Sequence, residues 1–130
     1  MIDHITLNVS DLEKSKAFYA AALATLKMRV NFGGAEEGFY GFGVDASPEF
    51  EIAPGRFFIG QSDDAHPVAP SVHIAFRAKD HDAVIAFHRA ALAAGGKDNG
   101  APGIRPEYAA TYFAAFVFDP DGNNIEAVCL

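Results

Sequence analysis

Three side chains able to hold a divalent cation stand far apart in this chain: His4, His73 and Glu126. Two imidazoles and one carboxylate form a donor set that suits such an ion and leaves coordination positions open for water or substrate. Glu126 is the anomalous member, because in "FVFDPDGNNIEAVCL" it lies between Ile125 and Ala127, inside a short apolar run that reads as a half-buried strand. A carboxylate in such a place is costly unless a cation or a hydrogen bond compensates its charge.

An internal repeat links the two histidines. The stretch "HITLNVSDLEKSKAFYAAALA" beginning at His4 aligns without a gap on "HIAFRAKDHDAVIAFHRAALA" beginning at His73, an offset of 73 − 4 = 69. The alignment pairs Ile5 with Ile74, Asp11 with Asp80, Phe18 with Phe87 and Leu23 with Leu92. Duplicated modules commonly sit about a pseudo-twofold axis, so matched positions in the two first strands approach it. Alternation assigns Ile5, Leu7 and Val9 to a buried face and His4, Thr6 and Asn8 to the other; in the second copy His73, Ala75 and Arg77 share the histidine's face. Extending the offset, 126 − 69 = 57 matches Glu126 to Phe57 and puts it in the last strand of its module. The expectation is a metal site of His4, His73 and Glu126. His66, His81 and His88 lack this relation and are read as structural or surface residues.

Each copy reads as βαβββ. In the first, Ser10 and Glu13 fit a capping box ahead of the stripe Leu12, Tyr19, Ala22, Leu23 and Leu26. In the second, Asp80 or Asp82 caps a helix with Val84, Phe87 and Ala91 on its apolar face, and Gly95-Gly96 ends it in a left-handed turn. The strands that follow are expected at "MRVNF", "GFYGFGV", "EFEI" and "RFFIG", then weakly near "GIRPEY" and strongly at "TYFAAFVF" and "NIEAVCL", with "DPDG" as a turn. The fold class is α+β: one domain, 1–130, with module one at about 1–61, module two at about 71–130, and the Pro- and Asp-containing segment from Ser62 to Pro70 as linker. The glycines of "FGGAEEGFYGFG" are turn residues rather than a phosphate cradle, since no Lys-Ser/Thr follows them.

Composition narrows the function classes. A chain of 130 residues, half of them hydrophobic, can bury a core without staples. A net charge of −7 argues against a nucleic-acid partner. No window has the apolar length needed to cross a bilayer, and the single Cys129 reads as a small buried hydrophobe. A cytoplasmic protein is the expectation.

The opening "DHITLNVSDLEKSKAFY", the second "HIAF" strand with its helix, and the closing "DPDGNNIE" together resemble the vicinal oxygen chelate superfamily. This group includes glyoxalase I, extradiol dioxygenases, methylmalonyl-CoA epimerase, fosfomycin-resistance transferases and bleomycin-resistance proteins. The resemblance spans essentially the whole chain. It implies paired βαβββ modules in an open, cup-like mixed sheet, with a divalent ion (Mn, Fe, Co, Ni or Zn) on His4, His73 and Glu126. The implied function is a glyoxalase-like enzyme, of lyase, isomerase or dioxygenase chemistry, acting on a small substrate with vicinal oxygens. The alternative is a metal-free sequestering protein of the bleomycin-resistance type. Glyoxalase I-like relatives add a fourth ligand in the last strand of module one, where the offset puts Phe57, with Phe58 beside it; Glu51 or Gln61 would serve only in a shifted register.

Around such a site Tyr112 is a candidate to offer a phenolic proton or orient a substrate oxygen. Arg105 and Tyr108, in "GAPGIRPEYAATY", are candidates to clamp a carboxylate and close over the substrate. Phe32, Phe39, Phe42, Phe113 and Phe116 are available to line a cup, although most are expected in the core. Open sheets leave edges that a second copy covers, so a homodimer is expected.

Overall fold

The computed structural model describes residues 2–45, 55–68 and 71–130. In chain order the elements are β1 (Ile5–Val9), α1 (Leu12–Ala24), β2 (Arg29–Gly34), β3 (Phe39–Gly43), β4 (Gly55–Gln61), β5 (His73–Arg77), α2 (His81–Ala93), β6 (Lys97–Ile104), β7 (Phe113–Phe118) and β8 (Asn124–Cys129). They form two four-stranded mixed sheets, ordered β1-β4-β3-β2 and β5-β8-β7-β6. In each, the first strand pairs in parallel with the last, and the other pairings are antiparallel. The repeat read from the sequence is thus a repeat of topology. The "EFEI" strand and Glu51 lie outside the described residues.

Each helix covers one face of its own sheet, and α1 also touches α2. The alternation in β1 holds: Leu7 and Val9 are buried on the helix side. Phe18 and Tyr19 of α1 share the core with Phe42, Phe57 and Ile59, as Val84 and Phe87 of α2 do with Val117 and Ile125. Burying each large side chain contributes about 1.5–3 kcal/mol. The face of each sheet turned away from its helix is left for His4 and Phe58 in one module and for His73, Glu126 and Phe116 in the other. The edge strands β1 and β5 flank a groove of about 860 Å³ that Ile5, Phe57, Ile74 and Phe76 help to line.

Local expectations fare unevenly. Asp80 caps α2 by accepting the Ala83 N–H at 2.9 Å, and Gly95 is left-handed at φ 99°. The capping box at Ser10 and Glu13 does not form. Asp11 is the cap, taking the Lys14 N–H at 3.0 Å. Ser10 instead directs both its N–H and its hydroxyl to Asp121, and Glu13 accepts the Tyr40 hydroxyl at 2.7 Å. Long-range partners outcompeted the local motif. The weak run near "GIRPEY" lies mostly upstream of its expected place, as β6, where pairing with β7 overrides the loop-like composition of "KDNGAPGI" through register shifts around Gly100. Pro102 is tolerated because β6 is an edge strand.

The "DPDG" turn is tied to the rest of the chain by a buried carboxylate. Asp119 accepts the N–H groups of Asp121 at 2.9 Å and Asn123 at 2.8 Å, the Asn123 amide at 3.0 Å, and the Tyr19 hydroxyl at 2.6 Å. Asn123 in turn accepts the Val72 N–H at 3.0 Å, just ahead of β5. One turn therefore fixes α1 of the first module, β5 and β8 together, which holds the histidine strand in register with the glutamate strand.

Candidate functional site

The parallel pairing of β5 with β8 sets Ala75 opposite Glu126 and His73 opposite Asn124, so His73 and Glu126 share the helix-free face one step apart. Their side chains meet, with His73 Nε2 3.1 Å from Glu126 Oε2. Glu126 is only 2% exposed, whereas half of the His73 side chain reaches solvent. His73 Nδ1 lies 3.1 Å from the Asn124 carbonyl, which can only accept, so Nδ1 carries a proton and donates. Nε2 is then the nitrogen aimed at the carboxylate. Glu126 Oε1, its other oxygen, accepts the Tyr112 hydroxyl at 2.6 Å. That hydrogen bond, with burial second, pushes the Tyr112 phenol up to about 12.

Tyr112 was expected inside a strand, yet β7 begins one residue later. It ends a turn closed by its own backbone, with the Arg105 N–H donating to the Tyr112 carbonyl at 2.8 Å and the Tyr112 N–H to the Ala109 carbonyl at 3.1 Å. Tyr108 packs edge-on against Tyr112 with ring centroids 5.1 Å apart. A recess of about 650 Å³ opens over this group, lined by His73, Glu126, Tyr112, Tyr108, Phe116, Asn124 and Glu107. Arg105 is one ring further out: its guanidinium lies 5.4 Å from the Phe116 ring, which stacks on His73 at 6.4 Å, and it donates to the Ala101 carbonyl at 2.7 Å.

His4 is elsewhere. It lies on the first sheet with Nδ1 2.8 Å from Asp3 and its ring edge-on to Phe58 at 5.6 Å. Among the described residues no three His, Cys, Asp or Glu side chains converge on one point. Within this chain His73, Glu126, Tyr112 and Tyr108 therefore come together, Arg105 stands at the margin, and His4 lies apart.

Register also corrects the counterpart of Glu126. Thr6 pairs with Phe58 as Ala75 pairs with Glu126, so Phe58 and not Phe57 holds the equivalent place. Phe57, 1% exposed, belongs to the core and contacts Tyr19 and Phe76. The repeat offset falls from 74 − 5 = 69 in the first strands to 125 − 57 = 68 in the last, and a one-residue slip in a strand exchanges its faces. Phe58 leans over Gly41, where an added Cβ would lie 2.5 Å from the ring, and has Phe32 and Phe39 as neighbours at 6.2 Å. Gln61 is equally removed from ligand duty. Its amide accepts the Leu12 N–H at 3.1 Å and donates to the Ser10 carbonyl at 3.0 Å, sealing the start of α1.

Sequence reasoning missed Asn124 and Glu107. Asn124 acts through its backbone carbonyl, which no residue type advertises; only its place opposite His73 in the pairing could have revealed it.

The model of the Glyoxalase/Bleomycin resistance protein/Dioxygenase superfamily matches residues 1–127. The chain belongs to that superfamily. A glyoxalase/bleomycin resistance protein from Albidiferax ferrireducens is 31% identical, with a TM-score of 0.76 over 97% of this chain and 95% of that one. Lactoylglutathione lyase from Agrobacterium tumefaciens is 17% identical, with a TM-score of 0.63 over 98% of this chain and 92% of its own. Glyoxalase I from Zea mays is 18% identical, with a TM-score of 0.65; the match covers 98% of this chain and 43% of the maize chain. The last two share the fold. No curated protein matches the chain. Members of this vicinal oxygen chelate superfamily commonly use divalent metals, bind small molecules and often dimerise. Among the described residues no helix is long and apolar enough to cross a membrane.

Proposed function

We propose that this chain is a small, cytoplasmic, glyoxalase-like enzyme of lyase, isomerase or dioxygenase chemistry, acting as a homodimer on an organic substrate with two neighbouring oxygens. His73 and Glu126 would hold a divalent ion (Mn, Fe, Co, Ni or Zn), and His4 of a second copy would supply the third donor. One observation carries the reading. A buried carboxylate oxygen faces an imidazole nitrogen across 3.1 Å, while the other imidazole nitrogen already donates to the Asn124 carbonyl. Two acceptors at that separation repel unless a cation, either a proton or a metal ion, lies between them. The donor chemistry fits a metal, because a ligating histidine typically donates its second N–H to a carbonyl or carboxylate. Bound there, a divalent ion supplies Lewis-acid stabilisation of negative charge developing on adjacent substrate oxygens.

The chain's own groups divide the remaining work. Glu126 and His73 set the binding point, Tyr108 offers an aromatic wall that is 63% exposed, and Phe116 carries the Arg105 cation to the rim, where it can meet a substrate carboxylate. The placement of His4 supports assembly between copies, since it stands just ahead of β1 as His73 begins β5, and among the described residues no third His, Cys, Asp or Glu joins His73 and Glu126.

A metal-free binding protein is the second reading, favoured by Phe58 at the place equivalent to Glu126, with Phe32 and Phe39 partly exposed beside it at 40% and 37%. Metal analysis of protein purified without chelator separates the two. Stoichiometric metal lost in a His4→Ala/Glu126→Gln double variant supports the enzyme; equal and negligible metal in both supports the binder. Mixing single variants, His4→Ala with Glu126→Gln, tests assembly between copies. Random re-pairing would restore about a quarter of the wild-type metal content if sites form across the dimer, and none if they form within one chain.

A further inference from the structure

Glu126 has two oxygens and each has a different neighbour. Oε1 accepts the Tyr112 hydroxyl at 2.6 Å, and Oε2 faces His73 Nε2 at 3.1 Å. The carboxylate is 2% exposed, so water does not compete for either oxygen. The backbone of Tyr112 is fixed by its bonds to Arg105 and Ala109, and its ring packs against Tyr108, which places the hydroxyl over Glu126. The phenol is spent on the carboxylate, and a hydroxyl has a single proton to donate.

We infer that Tyr112 is a positioning residue rather than a proton donor to substrate: its hydroxyl holds one oxygen of Glu126, so that the carboxylate presents only the other oxygen, beside His73, to a bound cation. A carboxylate restricted in this way takes one coordination position instead of two. A position spared in this way would remain available on the side of the recess, where a substrate with two adjacent oxygens would enter. Removing the hydroxyl frees Glu126 to rotate and to offer both oxygens.

The inference rests on the metal-site reading above, and its test keeps the two apart. Co²⁺ is titrated into metal-free wild type and Tyr112→Phe, following the visible ligand-field absorption, with circular dichroism to verify that both are folded. Wild type is expected to bind with an intense spectrum of low coordination number. The variant is expected to give a weaker, shifted spectrum and about tenfold or greater loss of affinity, the usual consequence of removing a group that orients a ligand. Spectra and affinities indistinguishable between the two folded proteins would overturn the positioning role while leaving the metal site standing. No ligand-field spectrum in wild type would overturn the metal site, and the positioning role with it.

Discussion

Replacing Glu126 by Met separates what the residue does for the fold from what it does for function. Glu126 is buried, and its counterpart in the first module is Phe58, so the position accepts an apolar side chain in the same topology. Burying the Met side chain contributes about 1.5–3 kcal/mol. Against this, the contacts to Tyr112 and His73 are lost, at about 1.5–3 kcal/mol each because the acceptor is a carboxylate, while the penalty of burying that charge, several kcal/mol, is relieved. Both partners keep access to solvent and can hydrate, so neither is left stranded. Replacing buried charge by apolar volume is often neutral or stabilising. The net expectation is a metal-free variant about 1 kcal/mol more stable than wild type. For 130 residues the unfolding entropy is about 0.27 kcal/mol/K, which converts that gain to a rise in Tm of about 4 °C. Adding a divalent ion at about a hundred times its Kd stabilises wild type by about 2.7 kcal/mol, or about 10 °C, and leaves the Met variant unmoved. The order of melting therefore inverts between chelator and metal. Thermal melts followed by circular dichroism measure both arms. A metal-free Met variant melting more than about 4 °C below wild type would refute the reasoning, because Glu126 would then be holding the structure together rather than burdening it.

Tyr19→Phe removes the hydroxyl that Asp119 accepts but leaves that carboxylate its three N–H donors; a loss of about 1.5–3 kcal/mol is expected in urea denaturation, with the core otherwise intact. Gly41→Ala forces a Cβ against the Phe58 ring and is expected to cost about 1–3 kcal/mol, most of it recovered in Gly41→Ala/Phe58→Leu; equal penalties in both backgrounds would argue against the close approach. The Tyr112 phenol, raised to about 12 mainly by its hydrogen bond to Glu126, favours its neutral form in the folded state. Its contribution is complete below the usual phenol range near 10 and is lost as pH rises through about 12. Tyrosinate absorbance, taken as the difference from Tyr112→Phe, is expected to titrate near that value and to fall back toward about 10 in Glu126→Met. At the acid end, the Asp80 carboxyl is held below its usual value chiefly by the Ala83 N–H. The cap is therefore complete above the ordinary aspartate range and weakens as pH falls through the lowered value, and Asp80→Ala is expected to lower the melting temperature near neutrality.

The sequence alone determined the repeat, the βα opening of each module and the placing of Glu126 in a final strand beside the strand of His73. Those features rest on periodicity and on matches at the offset of 69 that the first strands and helices share, which are properties of the chain itself. Helix caps were half legible: Asp80 competes only with its neighbours, whereas Ser10 is claimed by Asp121 from 111 residues away. Tertiary structure alone decided the rest. A one-residue change of offset, invisible to gapless alignment, exchanged Phe57 for Phe58 on the cup face, because side chains in a strand alternate sides and a single slip reverses them all. The turn before β7 brought the Tyr112 hydroxyl down on Glu126, while Asp3 and the Phe58 ring hold His4 beside the first sheet. Neither outcome is written in residue spacing, since the first depends on how the turn ahead of β7 folds over β8 and the second on contacts between residues remote in the chain.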